Sequence, residues 1–298
     1  MVVHWGAVAD TLACLRSLAA STLRPTPLLV IDNGTRALDA ATVAAAAPGA
    51  VLVALPENRG FAGGSNEGMR RALATGAAFV LLLNNDATVA PDCLGELVRA
   101  ASTGPDIAAV GAKVLCAEAP HVLWAAWARV TWRAALVEQI GRGAPDGPAY
   151  GAVRTVDVVP GCAMLLTRPA LEDVGLFDEA FFAYHEDVDW CVRARARGFQ
   201  VLFAPAARVF HRGEGSLAGR GRANPARYLS ARNTILVARK HARLRDWGRL
   251  AVTIGASLPL AALRARRRGE HGVVALLLRG YRDGLLGRDV PLDALGLR

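Results

Sequence analysis

Short apolar runs alternating with helical periodicity constrain this chain more than any other feature. Val2-Val3, Leu28-Leu29-Val30-Ile31, Val51-Leu52-Val53-Ala54-Leu55 and Phe79-Val80-Leu81-Leu82-Leu83 have the continuity of strands buried on both faces. Between them, residues 10–20 put Leu12, Leu15 and Leu18 on one helical face, and residues 38–47 and 65–75 form two more helical segments. This rhythm predicts an α/β fold with a Rossmann-like, mostly parallel sheet and helices on both faces. Ligands of such sheets sit beyond the carboxyl ends of the strands. The candidates are therefore the polar residues that end the runs: Asp32-Asn33-Gly34, then Glu57-Asn58, then Asn84-Asn85-Asp86.

Beyond residue 110 the pattern loosens. Residues 110–115 suggest a strand, 156–166 a strand interrupted by Pro160-Gly161, and 201–203 and 208–211 two further short strands. Trp124, Trp127 and Trp132, with Arg129 and Arg133, form an aromatic and basic patch that suits either core packing or stacking on sugar rings. Residues 141–151 form a Gly/Pro loop, and from about Asn224 the pattern is helical.

A hydrophobic content of 53% in regular runs excludes a disordered chain. Five cysteines, odd in number and without a CxxC pair, argue against a disulfide scaffold or structural zinc and fit a reducing compartment. The net charge of +9 is unevenly spread. Residues 1–211 carry 17 Lys/Arg against 20 Asp/Glu, a net −3, whereas 212–298 carry 18 against 6, a net +12. A basic segment points to an anionic surface, membrane or nucleic acid. No recognised nucleic-acid motif accompanies it. Residues 250–263 are uncharged but shorter than the ~20 residues that span a bilayer, and Arg264, Arg266, Arg267 and Arg268 follow them. Helices lying on a membrane surface and a helical hairpin packed on the main domain both satisfy that pattern. Met1-Val2-Val3-His4-Trp5 has neither the basic stretch nor the cleavage site of a secretory signal.

Four constellations carry chemistry. Asp86, at the end of an apolar strand, suits a divalent cation that shares its oxygen ligands with phosphates; capping a turn is the plainer use of such a residue. The Gly-rich run 56–66 opens a helix, where backbone amides favour anions, yet it matches neither a P-loop nor a GxGxxG fingerprint. Glu186, Asp187 and Asp189 crowd three carboxylates into four positions beside aromatics, which favours a cation or a proton transfer over simple helix capping. His211 ends an apolar strand ahead of a Gly/Ser-rich loop through Ser216, and gains a metal or diphosphate role only if Asp86 lies nearby.

In order and spacing, these segments resemble the family 2 glycosyltransferases, in their rhamnosyltransferase-like branch. The resemblance is carried by Asp32-Asn33-Gly34, by residues 57–66, by Leu81-Leu82-Leu83-Asn84-Asn85-Asp86 and by residues 175–195, with Pro160-Gly161-Cys162-Ala163-Met164-Leu165 and Arg168 between. It covers roughly residues 2–240. It implies a GT-A fold with a C-terminal helical tail, a nucleotide-sugar donor, Mg²⁺ or Mn²⁺, and an inverting single displacement. Residues 1–110 would be the nucleotide-sugar-binding half, 111–223 the acceptor-binding and catalytic half, and 224–298 a basic helical region. Asp187 would be the general base, and Asp86 and His211 the metal or diphosphate contacts. Asp32 would recognise the base or ribose, and Asn58, Gly63, Asn66 and Asn85 would lie along the nucleotide-sugar site. Gly161, Glu186 and Asp189 would face the acceptor.

The resemblance also implies dTDP-rhamnose as the first candidate donor, with UDP- and GDP-sugars open. A glycan or lipid-linked acceptor, a role in cell wall polysaccharide synthesis, a cytoplasmic location on the inner membrane face and no nucleic-acid partner follow from the same reading. The QxxRW motif of processive members is absent, so one or a few transfers per encounter are expected. Two alternatives stay open: a catalytically inactive nucleotide-sugar binder, and a non-enzymatic binder that uses the basic tail.

Overall fold

The computed structural model describes residues 1–213, 224–270 and 272–297. The first third runs β1 (Val2–His4), α1 (Val8–Ala19), β2 (Leu29–Asp32), α2 (Ala40–Ala46), β3 (Val51–Ala54), α3 (Gly60–Ala74) and β4 (Phe79–Asn84). There follow β5 (Ala87–Val89), α4 (Cys93–Ala101), β6 (Ile107–Cys116), β7 (Ala119–Ala125), β8 (Trp127–Val130), β9 (Val137–Ile140), β10 (Arg154–Thr155), β11 (Ala163–Thr167), α5 (Arg168–Val174), α6 (Glu186–Ala196) and β12 (Gln200–His211). Four helices close the chain: α7 (Pro225–His241), α8 (Leu244–Arg268), α9 (Val273–Leu286) and α10 (Leu292–Leu295).

One ten-stranded sheet carries the fold, in the order β10-β12-β6-β11-β4-β1-β2-β3, with β5 and β7 attached to β12 and β6. The half from β4 to β3 is wholly parallel. Strand β11 enters antiparallel between β4 and β6, while β6 and β12 run parallel to each other. Alternate residues feed two cores. Val3, Ile31, Leu82 and Met164 face one layer, and Val2, Val30, Leu83 and Leu165 face the other. Burial on both faces explains why these strands appear in the sequence as continuous apolar runs. Register aligns His4 with Asp32, and Val3 with Asn84. The polar strand ends therefore gather at one edge, as the sequence predicts.

Several boundaries differ from expectation. The helix expected over 65–75 begins earlier: α3 starts at Gly60, so most of the Gly-rich run that opens it is already helical. Its glycines serve close packing, since a Cβ at Gly64 would meet Val3 Cγ1 at 2.8 Å and one at Gly68 would meet the Met1 side chain at 2.2 Å. The two expected strands at 201–203 and 208–211 are one strand, β12, with a register shift between Ala204 and Arg208. Of residues 156–166 only β11 is strand, although Val158 bridges Ala128. Residue 110, the expected boundary between two halves, falls within β6, so both halves share one sheet. The helical region is not a detached tail either: Tyr228, Leu229, Arg232 and Asn233 of α7 are fully buried. All five cysteines are free thiols, four of them buried.

Candidate active site

The strand ends open into a cavity of about 630 Å³. Val3, Trp5, Asn84 and Asn85 form its floor at the ends of β1 and β4, and Asn58 and Gly60 border it at the start of α3. The loop 182–185 and the first turn of α6 form one wall, with Glu186 and Asp187; Trp124, Gln139, Arg142 and His211 form another.

The loop that delivers α6 is held under backbone strain. Phe182, Tyr184 and His185 have φ of 61°, 71° and 71°, a region that costs a non-glycine residue about 1–3 kcal/mol. The compensation comes from α7. Asn233, completely buried, donates its amide Nδ2 to the carbonyls of Phe181, Ala183 and Tyr184, each at 2.8 Å. Arg232 donates to Ala180 O at 2.8 Å and to Asn233 Oδ1 at 2.9 Å. On the far side Ala62 N donates to Phe182 O at 3.0 Å, and a Cβ at Gly60 would strike that same oxygen at 2.3 Å. The end of the chain also reaches this wall: Leu295 and Leu297 pack on Phe182 and Ala183, and Leu297 O accepts from Asn58 Nδ2 at 2.6 Å.

Asp187 projects into the cavity with each oxygen accepting one backbone N–H, from Gly161 and from Val188, both at 2.8 Å. Gly161 is needed for that approach, since a Cβ there would lie 3.3 Å from the carboxylate. Burial pushes the Asp187 carboxyl above its usual range against those hydrogen bonds. Its neighbour Glu186 is 5% exposed, and Oε2 has no hydrogen-bond partner. Burial, then the charge of Asp187, drives Glu186 well above the ordinary carboxylate range. Burial also lowers His185 to about 4, so this wall holds no imidazolium at neutral pH.

His211 also lines the cavity; its Nε2 lies 2.9 Å from Asp86 Oδ1, and both side chains are almost wholly buried. Asp86 Oδ2 and His211 Nδ1 are buried with no partner. Cys162 lines the same cavity: burial, then the charges of Asp86 and Asp187, raise its thiol. The sequence makes a role for His211 conditional on Asp86 lying nearby, and the two side chains do meet. The Gly/Ser-rich loop after His211, with Ser216, lies outside the described residues.

Other candidate residues stand elsewhere. Asp189 does not reach the cavity. It is 0% exposed and is held by Arg193 Nε at 2.8 Å and by Lys240 Nζ and His241 Nε2 at 2.7 Å, tying α6 to α7. Its expected contact with the acceptor is therefore replaced by a structural ion network. Gly63 and Asn66 sit behind the wall: Asn66 Nδ2 donates to Phe177 O and Glu179 Oε1, and a Cβ at Gly63 would press on Arg59 and Glu179. Asp32 Oδ1 accepts from Thr35 N and Oγ1, while Oδ2 is buried and unpartnered beside the strand end of His4. Of the three tryptophans only Trp124 lines the cavity; Trp127 packs on Phe203 and Tyr150, and Trp132 packs on the core. Asn233, Leu297 and Arg142 carry no local sequence signal, because each acts through a partner distant in the chain.

The sequence matches the family described as glycosyltransferase like family 2 over residues 1–230. The chain belongs to that family. Two relatives, from the CDC 1551 / Oshkosh and H37Rv strains of Mycobacterium tuberculosis, are named N-acetylglucosaminyl-diphospho-decaprenol L-rhamnosyltransferase; each is 28% identical over 87% of this chain and 92% of its own. The low-salt glycan biosynthesis hexosyltransferase Agl10 of Haloferax volcanii is 29% identical over 48% of this chain and 46% of its own. Among solved structures, S. aureus TarS with UDP-GlcNAc has a TM-score of 0.60 at 14% identity, covering 99% of this chain and 82% of TarS. Mannosyltransferase PcManGT from Pyrobaculum calidifontis, with GDP-Man and Mn²⁺, has a TM-score of 0.57 at 18% identity, covering 95% of this chain and 85% of its own. This glycosyltransferase therefore has the GT-A fold expected of nucleotide-sugar-dependent members.

The Asp189 network yields a pH signature. Burial opposes ionisation, yet the hydrogen bonds from His241 and Lys240 and the charge of Arg193 hold Asp189 at about 2. A carboxyl depressed in this way stabilises the fold above its unfolded pKa of ~3.9, and that contribution fades as pH falls toward 2. Asp189→Asn should therefore lose stability to urea at pH 7, with the gap from wild type narrowing below pH 4. The KM for acceptor should change little, and a large KM effect with unchanged stability would restore Asp189 to the acceptor site.

Proposed function

We propose that this glycosyltransferase is inverting and metal-assisted, and moves a sugar from a nucleoside diphosphate to an acceptor hydroxyl with Asp187 as general base. The observation that supports the reading is that Asp187 and His211 line one cavity, with Asp86 hydrogen-bonded to His211 and both carboxylates close enough to Cys162 to raise its thiol. In the displacement, the acceptor oxygen bonds to the anomeric carbon while the bond from that carbon to the diphosphate oxygen breaks. The electron pair leaves with the diphosphate, and the hydroxyl proton passes to Asp187. Burial gives that carboxylate a raised proton affinity, which strengthens it as a base. Burial biases Glu186 toward its neutral form, and its otherwise unpartnered Oε2 would hydrogen-bond a sugar hydroxyl.

A divalent cation would suit the Asp86–His211 pair. No group of three or more His, Cys, Asp or Glu suited to a metal occurs among the described residues. The buried, unpartnered Asp86 Oδ2 nonetheless suits an ion that takes most of its ligands from phosphate and water. Asp86 and His211 would hold it, and when bound it would carry charge that develops on the diphosphate. Asn84 and Asn85 border the same floor with neutral amides. Asp32, through its free Oδ2, would recognise the nucleoside, with Asn58 along the sugar-nucleotide wall; Gly63 and Asn66 would act from behind by shaping α3.

The sugar and acceptor are proposed by analogy. The names of the mycobacterial relatives favour a rhamnosyl donor, with dTDP as the first base to test, and a lipid-linked acceptor in cell wall polysaccharide synthesis. A peripheral position on the cytoplasmic membrane face agrees with α8. Leu244 is 90% and Val252 72% exposed, Leu260 and Leu263 also face outward, and Arg264 and Arg266–Arg268 follow. An apolar outer face ending in arginines suits anionic headgroups. No helix among the described residues is long and apolar enough to cross a membrane.

Four outcomes are expected. Asp187→Asn should lower kcat by about 10²–10⁴-fold while nucleoside diphosphate still binds, measured by calorimetry. Wild-type kcat should also fall as pH drops through a pKa above the ordinary carboxylate range; unchanged turnover in the variant would exclude Asp187 as the base. Asp86→Ala should abolish the strengthening of nucleoside diphosphate binding by Mn²⁺, and metal-independent binding in wild type would reject that role. Replacing Val252, Leu260 and Leu263 together by serine should reduce co-sedimentation with phosphatidylglycerol vesicles without lowering Tm, and equal sedimentation would remove the membrane face.

A further inference from the structure

The cavity has an uneven charge lining. Glu186 and Asp187 occupy one wall, and His185 beside them is held neutral. Among the described lining residues, Arg142 is the one with a permanent positive charge. Among the described residues no carboxylate pairs with it. Two other cations of this region are paired, Lys113 with Asp146 and Arg129 with Glu138. Among the described residues the guanidinium of Arg142 hydrogen-bonds only to the amide oxygen of Gln139, itself in the lining, and stacks over Trp124 with Cζ 5.2 Å from the ring centroid.

Its position is built rather than incidental. Arg142 stands on a tight turn after β9 that is stapled to β7: Gly143 N donates to Leu123 O at 2.8 Å, Leu123 N to Ala144 O at 2.9 Å, and Ala144 N to Gly141 O at 2.9 Å. Gly141 takes φ of 82° and lies so close to Leu123 and Tyr150 that a Cβ would meet them at about 3 Å. Trp124 is fixed in turn. Its ring meets His211 in a T-shaped contact with centroids 4.6 Å apart, and Gly213 backs onto its indole edge. Arg142, Trp124, His211 and Asp86 thus form a continuous stack from the turn to the end of β4.

We propose that Arg142 binds a pyrophosphoryl group in this cavity, next to the Asp86–His211 pair. The proposal rests on the transfer reading for its purpose, not for its chemistry. An inverting displacement leaves charge on a diphosphate, while the expected cation is held by a single carboxylate because Asn84 and Asn85 are neutral. An additional protein-borne cation answers that deficit. A guanidinium suits the task, since its planar fork matches phosphate oxygens and stacking on Trp124 pre-orients it. The diphosphate belongs either to the donor or to a lipid-linked acceptor, which present the same group.

The experiment compares wild type, Arg142→Gln and Arg142→Lys by calorimetry with three probes: inorganic pyrophosphate, a nucleoside diphosphate and a short-chain alkyl diphosphate. Arg142→Gln should weaken pyrophosphate binding about tenfold, as expected for losing hydrogen bonds to a charged group, and Arg142→Lys should weaken it less. A parallel loss for the nucleoside diphosphate alone assigns the site to the donor, and for the alkyl diphosphate alone to the acceptor. Equal pyrophosphate affinity in wild type and Arg142→Gln, or no pyrophosphate binding by wild type, overturns the proposal. Arg142-dependent pyrophosphate binding in a chain whose Asp187→Asn variant still turns over would sink the transfer mechanism and leave this site standing.

Discussion

A single buried amide supports the rest of the site. Asn233 Nδ2 gathers the carbonyls of Phe181, Ala183 and Tyr184, and so holds a loop in which three non-glycine residues take left-handed backbone angles. Without those bonds, carbonyls away from water would lose their partners and the strained conformers would lose their compensation. The loop ends where α6 begins, and the first residues of α6 are Glu186 and Asp187. The orientation of the proposed base thus depends on a helix nearly fifty residues downstream. This makes the C-terminal helices part of the catalytic body and not an appendage. The contacts of Leu295 and Leu297 with Phe182, Ala183 and Asn58 extend the same dependence to the far end of the chain.

Burial then divides labour among three clustered carboxylates. Asp189 meets Arg193, Lys240 and His241 and stays ionised at about 2. Glu186 meets no cation and is driven toward the neutral form, while Asp187 keeps two backbone donors and an intermediate character. Identical functional groups within four positions acquire structural, neutral and basic roles from their partners alone. The opposite wall follows the inverse logic, leaving one carboxylate oxygen and one imidazole nitrogen unpartnered where a cation or anion would supply the missing contacts.

Much of this was legible in the sequence. The apolar runs announced the strands because strands buried on both faces must be apolar throughout, and the polar residues that end them mark the functional edge. Asp86, His211 and Asp187 stand out as candidates from their strand-end and helix-start positions and from the family resemblance, and the structure brings Asp86 and His211 into contact and lines one cavity with His211 and Asp187. Other features were hidden for physical reasons. The Gly-rich helix start suggests a place for anions, but Gly64 serves to let α3 approach β1. Asp189 looks like its neighbours, and only the placement of Lys240 and His241 turns it inward. Arg142 sits in a Gly/Pro loop whose composition gives no hint that the turn is stapled to β7 beneath Trp124. Long-range pairing decides each of these cases, and local pattern carries no trace of it.

The account stands or falls on attack from the face opposite the leaving diphosphate, because the proposed mechanism sets Asp187 on one face of the sugar and the Asp86–His211 pair on the other. The anomeric configuration of the first product, read from its one-bond C1–H1 coupling by NMR before any spontaneous equilibration, tests this directly. Inversion relative to the nucleotide-sugar is the predicted result. Retention would mean that the hydroxyl and the diphosphate share one face, and would contradict the geometry on which the mechanism is built.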